Sequence, residues 1–246
     1  MATTSSQARN RAVPVAGLTV GFRETGDPAG PAVVLLHGGS SSGATWDRLA
    51  TALAAAGRHV IAPDLRGHGG SSRARDYPLA GYADDIAGLM DALGIGSAAV
   101  AGHSLGGYAA SVLAQRDPGR VTRLVLEEPG MPARDAAGGH GLSGPRFLLP
   151  ALLGLAARRD YDRRAVTSAV RQLRVPDPAW WDRLPLITAP TLLISGGPAS
   201  HIPPRQLTET ARSIPNCEVV TIPAGHRVHS RSPEQFLAPV VPFLTA

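Results

Sequence analysis

Two kinds of apolar pattern alternate along the chain. Residues 32–36 (AVVLL), 59–63 (HVIAP), 97–102 (SAAVAG), 121–127 (VTRLVLE) and 191–195 (TLLIS) are short, nearly continuous apolar runs. Runs of that length without polar alternation fit strands covered on both faces. Stretches with helical spacing of apolar positions lie between them, at 46–56, 82–93 and 105–116, and again at 205–214 and 235–244. A strand at 18–24 comes first, closed by the turn sequence Gly-Asp-Pro-Ala-Gly-Pro at 26–31, and another follows at 218–222. Strands alternating with helices predict an α/β fold: a mostly parallel twisted sheet with helices on both faces.

The alternation breaks between 131 and 184. That segment is rich in Gly, Pro and Arg, with short helical patterns at 146–157 and 162–173. It reads as an insertion between two blocks of one domain, 11–130 and 185–246. Residues 1–10 are polar and read as a flexible tail.

The most specific local signal is Gly102-His103-Ser104-Leu105-Gly106-Gly107, between the run ending at 102 and the helical stretch from 105. A strand, a sharp turn and a helix in that order need small residues flanking the serine, because the turn leaves no room for side chains. The serine hydroxyl then stands above the carboxyl end of the sheet, at a helix N-terminus whose partial positive charge favours a developing anion.

Three further motifs follow strands. They are His37-Gly38-Gly39 after 32–36, Pro63-Asp64-Leu65-Arg66-Gly67-His68-Gly69-Gly70-Ser71 after 59–62, and Ala224-Gly225-His226 after 218–222. With the Ser104 turn, these four motifs, in this order, resemble the α/β-hydrolase superfamily over nearly the whole chain. The resemblance implies an α/β-hydrolase fold in which 131–184 is a small helical cap over the serine. It also implies a serine hydrolase of esters or lactones. Ser104 is then the nucleophile and His226 the base. His229, three residues on, is the rival base, while His37, His68 and His103 fall in structural places. The oxyanion hole would take the Leu105 and Gly39 N–H groups. Ser40 and the pair Trp180-Trp181 are candidates for the substrate pocket, with one of the two indoles expected to pack on the core.

The third triad member departs from the common pattern. Most relatives carry an Asp after the strand that corresponds to 191–195, but here Ala199 stands at that place and residues 196–204 contain no carboxylate. The strand before the insertion instead ends Leu126-Glu127-Glu128-Pro129. In that placement of the acid the chain is similar to zearalenone-type lactonases and to a branch of haloalkane dehalogenases. Alternation along a strand sends neighbouring side chains to opposite faces, so only one of the two glutamates can reach His226. Aligned from the nucleophile, the match falls on Glu128, with Glu127 as its rival.

Composition narrows the remaining classes. The 246 residues suit one large domain, 43% of them hydrophobic. The net charge is +5. The arginines are scattered, there is no Lys, and aromatics make up 4%, which argues against a nucleic-acid surface. The insertion holds nine Arg against five Asp, which leaves a carrier-bound or coenzyme A thioester as an alternative substrate. Ala199 leaves open a ligand-binding, non-hydrolytic member of the fold. Cys217 is the single cysteine and reads as a small buried residue, so no intrachain disulfide is expected. No membrane span and no secretory signal are read, and the expected location is cytoplasmic. No metal or organic cofactor is expected, because no ligand cluster and no phosphate-binding glycine fingerprint occur. The oligomeric state is not legible.

Overall fold

The apolar runs become strands of one eight-stranded sheet in a computed structural model that describes residues 7–135 and 160–246. In chain order the strands are β1 (Arg9–Val15), β2 (Leu18–Thr25), β3 (Ala32–Leu36), β4 (His59–Pro63), β5 (Ala98–His103), β6 (Val121–Glu127), β7 (Thr191–Ser195) and β8 (Cys217–Thr221). Their spatial order is β1-β2-β4-β3-β5-β6-β7-β8. β2 runs antiparallel to both β1 and β4, and every later pairing is parallel. The helices are α1 (Asp47–Ala55), α2 (Leu79–Ala92), α3 (Leu105–Arg116), α4 (Arg163–Leu173), α5 (Pro178–Asp182), α6 (Pro204–Ser213), α7 (Val228–Arg231) and α8 (Pro233–Thr245).

Both faces of the sheet are covered, and strand alternation divides the core in two. Val34, Leu36, Leu124 and Leu126 pack with α2, α3 and α4 on one face. Val33, Leu35, Val125 and Ile194 pack with Trp46, α1 and α8 on the other. Burial on both faces is why these strands read as unbroken apolar runs. No helix among the described residues is long and apolar enough to cross a membrane.

Three expectations need correction or placement. The strand β1 was not anticipated, and it takes residues 9 and 10 out of the expected tail. It is a largely exposed edge strand held by its ladder to β2, so it carries little apolar signal. Cys217 is half-buried at the start of the edge strand β8 rather than a core residue, though burial still pushes its thiol up to about 12. In the insertion, the stretch expected to be helical at 162–173 forms α4, capped by the Asp162 carboxylate, which accepts from the Arg164 N–H. The one expected at 146–157 lies outside the described residues.

Candidate active site

The carboxyl ends of β3, β5, β6 and β7 converge on Ser104. Its backbone has φ 51° and ψ −114°, a left-handed conformation that is strained for a residue with a side chain. The surroundings hold it there. Ser104 N–H donates to the Glu127 carbonyl at 3.0 Å, and the Ser104 carbonyl accepts from Tyr108 at 2.9 Å and Gly130 at 2.8 Å. Gly102 and Gly106 are required by close approach. A side chain on Gly102 would strike the Gly106 carbonyl, and one on Gly106 would strike the Leu36 carbonyl. Ser104 precedes α3 but makes no capping bond with its side chain, so its hydroxyl is not spent on the helix.

The N–H groups of Leu105, at the first position of α3, and of Gly39, in the loop after β3, face no acceptor among the described residues. That loop is fixed by buried histidines. Leu65 N–H donates to His37 Nε2 at 2.9 Å, so the proton sits on Nδ1 and donates to the Gly38 carbonyl at 2.7 Å. Burial drives the His37 pKa down to about 3, which keeps this neutral tautomer. Ser40 also has a left-handed backbone, at φ 59°. Its N–H donates to His68 Nε2 at 3.3 Å, and its hydroxyl donates to the Gly39 carbonyl at 2.6 Å. The Ser40 hydroxyl is thus engaged on the loop backbone, where sequence reasoning had considered it for the substrate pocket.

His226 and Glu128 are brought together. Glu128 Oε2 lies 3.2 Å from His226 Nδ1. The glutamate leaves β6 through a left-handed residue, φ 46°, that turns its side chain under the loop after β7. There Gly196 N–H donates to Oε1 at 2.6 Å, and the Ser200 hydroxyl donates to Oε2. The loop that carries Ala199 in place of an acid therefore supplies donors to an acid from the neighbouring strand. Glu128 is fully buried, and burial pushes its carboxyl up; the Ser200 and Gly196 donors and the nearby His201 pull it back. His226 is held well below the usual imidazole range by burial and by His201, Arg227, His229 and Arg231. A carboxylate accepting at Nδ1 places the proton there and leaves the Nε2 lone pair available. His103 Nε2–H donates to the His226 carbonyl at 2.7 Å, and the His201 ring lies 4.1 Å from the His226 ring.

The rivals meet each other. Glu127, the last residue of β6, accepts from His229, at 2.9 Å from the backbone N–H and 2.7 Å from Nδ1. His229 is thereby tied down away from the base position.

Of the two tryptophans, one of which is expected on the core and the other as a pocket candidate, both pack with the core. Trp180 is 1% exposed with Nε1 on the Ser111 hydroxyl at 3.1 Å, and Trp181 donates to the Pro132 carbonyl at 3.0 Å. Among the described residues of the insertion, Val166 and Leu173 reach the site. A side chain on Gly39 would meet Val166 Cγ1 at 3.8 Å, and one on Gly130 would meet Leu173 Cδ1 at 3.1 Å. Two helical turns separate these residues, so they share the face of α4 that overlooks Ser104. Helical spacing was the available signal; which face turned inward was not. A separate cleft lies at the other end of the sheet, where Arg11 and His59 both pair with Glu24, at 2.8 and 2.9 Å.

This fold, with this constellation at the strand ends, defines an α/β hydrolase. A family model described as the alpha/beta hydrolase fold matches residues 31–153. The chain is 29% identical to an sn-1-specific diacylglycerol lipase of Mus musculus, over 89% of this chain and 82% of that protein. It is 31% identical to the magnesium-chelatase 30 kDa subunit of Rhodobacter capsulatus, over 92% of this chain and 89% of that protein. Among solved structures, E-2-(acetamidomethylene)succinate hydrolase superposes with a TM-score of 0.83 at 26% identity, covering 98% of this chain and all of that one. The chain belongs to the α/β-hydrolase fold family.

Proposed function

We propose that the protein is a serine hydrolase that cleaves a carboxylic ester or lactone through an acyl-enzyme. The observation that carries the reading is the His226–Glu128 pair, 3.2 Å apart, at the same strand ends as the strained Ser104 turn. His226, neutral at pH 7, takes the Ser104 proton on Nε2 as Oγ bonds to the substrate carbonyl carbon. The Leu105 and Gly39 N–H groups hold the resulting oxyanion, and neither has an acceptor among the described residues. Glu128 stabilises the imidazolium without taking its proton. The carbon–oxygen bond to the leaving group then breaks, and Nε2 returns the proton to the departing alkoxide. A water molecule, deprotonated by the same nitrogen, adds to the acyl-enzyme and releases the carboxylic acid and Ser104. Val166 and Leu173 give the site an apolar wall. Similarity to a diacylglycerol lipase agrees with ester chemistry.

A fluorophosphonate probe should label the wild type and leave Ser104→Ala unlabelled. On p-nitrophenyl esters of rising chain length and a lactone panel, Ser104→Ala should lose about 10⁴-fold or more in kcat with its fold intact. Near-wild-type turnover by Ser104→Ala on a cleaved ester sinks the reading.

A further inference from the structure

The chain contains a second buried carboxylate–imidazole–hydroxyl array that the proposed chemistry does not use. Glu127 is fully buried and accepts twice from His229, and His229 Nε2 faces the Thr45 hydroxyl at 2.8 Å. The imidazole is packed between aromatic rings, with Trp46 at 4.4 Å and Phe236 at 6.1 Å. Stability alone is a poor explanation. Burying a carboxylate and its partner is often no better than burying apolar residues of similar volume, so a buried pair is weak evidence for a stabilising role.

The connections of Glu127 suggest what the array does. Its carbonyl accepts the Ser104 N–H at 3.0 Å, so its backbone is bonded to the nucleophile's turn. Its carboxylate grips His229, three residues beyond His226, through both the backbone and the ring. The next residue along the chain is Glu128, whose left-handed backbone sets the direction of the other carboxylate. One residue is therefore joined to all three segments that carry Ser104, Glu128 and His226. His103 adds a second tie from the serine turn, its Nε2–H donating to the His226 carbonyl at 2.7 Å.

We propose that Glu127, His229 and Thr45 form a positioning clamp that fixes the His226 loop against the Ser104 turn. The clamp rests on the serine-hydrolase reading. Glu127 and His229 touch no reacting atom. They act by holding the His226 imidazole at the angle and distance at which Nε2 receives the serine proton and Nδ1 meets Glu128. Errors of about 1 Å in such placement typically cost about 100-fold in rate.

The test compares His229→Leu, which leaves Glu127 without its ring donor, with His229→Asn, whose amide N–H can reach the same carboxylate oxygen. His229→Leu should lower kcat by about 10- to 100-fold with KM within about twofold of wild type, and His229→Asn should recover most of that loss. Thr45→Val, a milder change that removes only the outer partner, should lower kcat by a few fold, again at constant KM. The second readout is the proton resonance of His226 Nδ1. It should persist in His229→Asn and shift or broaden in His229→Leu, whether or not any substrate has been found. Equal loss of kcat in both His229 variants, with wild-type melting temperatures, overturns the clamp, because the imidazole itself would then be needed. Wild-type kcat and an unchanged His226 resonance in His229→Leu overturn it too. If His229→Leu does not fold, His229→Asn with low kcat or Thr45→Val with raised KM overturns it. Failure of the hydrolase reading looks different: the wild type is then unlabelled by fluorophosphonate, while the His226 resonance still reports on the clamp.

Discussion

Glu128–His226 and Glu127–His229 are two carboxylate–imidazole pairs built from adjacent residues of one strand and from histidines three apart. In both, Nδ1 faces a glutamate that is fully buried. They differ in what the other ring nitrogen meets. The His229 side chain is 4% exposed and its Nε2 is closed off by Thr45, whereas the His226 side chain is 22% exposed and its Nε2 has no protein partner among the described residues. The hydroxyls differ as well. Thr45 sits in the short 3-10 turn Gly43–Trp46, while Ser104 occupies a strained left-handed residue at the start of a twelve-residue helix. A histidine held by a carboxylate is therefore not in itself an active site. In the proposed reading, the open nitrogen, the strained serine and the N–H groups that lack an acceptor among the described residues separate the reactive pair from the fastening one.

The sharpest way to break this comparison is to neutralise each glutamate in turn. Glu128→Gln keeps the side-chain volume but removes the charge that stabilises the His226 imidazolium, and should lower kcat by up to about 10⁴-fold. Glu127→Gln keeps an oxygen for one of the two His229 donors and should cost about tenfold through misplacement alone. Initial rates on any cleaved ester decide it. Glu128→Gln turning over normally while Glu127→Gln is dead inverts the assignment, and two fully active variants reduce the site to a Ser–His dyad.

A pH profile probes the open pair without mutation. As the proposed base, His226 has to be neutral to accept the serine proton, and its surroundings hold its pKa well below 6.5. A base whose pKa is lowered stays deprotonated to lower pH, so kcat/KM should remain on its plateau through pH 6.5 and fall only on the acid side of it. Glu128 works in the same direction, since protonating it removes the imidazolium's partner, and the limb belongs to the pair rather than to either group. An acid limb centred above pH 7 contradicts this account of the His226 environment.

How far the site was legible depended on whether its signal lay along the chain or across it. The runs at 32–36, 59–63, 121–127 and 191–195 become β3, β4, β6 and β7 at the same residues, because strands buried on both faces are apolar throughout and end at Gly, Pro or charge. Glu127 and Glu128 do meet different histidines, but Glu128 lies just past the end of β6 with a left-handed backbone, so its direction comes from that turn and not from strand alternation. Contacts across the chain were not readable. Nothing local says that Trp180 donates to Ser111, that the Ser40 hydroxyl turns back on Gly39, or that Val166 overlooks the Gly39 loop. The orientation of α4 is set by its stem, where Asp162 N–H donates to the Gly67 carbonyl at 2.7 Å and Gly69 N–H to the Asp160 carbonyl at 2.6 Å. Those bonds join residues about ninety positions apart. Edge strand β1 escaped because five of its seven residues are exposed.

The smallest expected effect tests how Glu128 is kept charged at full burial. Burial raises its carboxyl, and the Ser200 hydroxyl is the foremost group opposing that rise, ahead of the Gly196 N–H and His201. Ser200 is itself held in place, its Oγ accepting the Ile202 N–H at 3.1 Å. Ser200→Ala removes one charge-assisted bond and leaves the Gly196 donor at 2.6 Å. Such a bond is worth about 1.5–3 kcal/mol, and about 1.4 kcal/mol corresponds to one pH unit. The loss falls on the charged form, so the Glu128 pKa rises further. A carboxylate that takes its proton at higher pH withdraws its support for the imidazolium sooner as pH falls. The acid limb of kcat/KM in Ser200→Ala should therefore move upward by about one to two pH units, with a loss near neutral pH that shrinks as pH rises. A uniform loss at every pH, with no displacement of the limb, would show that Ser200 places the glutamate rather than holding its charge. A shift to lower pH would remove Glu128 from the titrating pair.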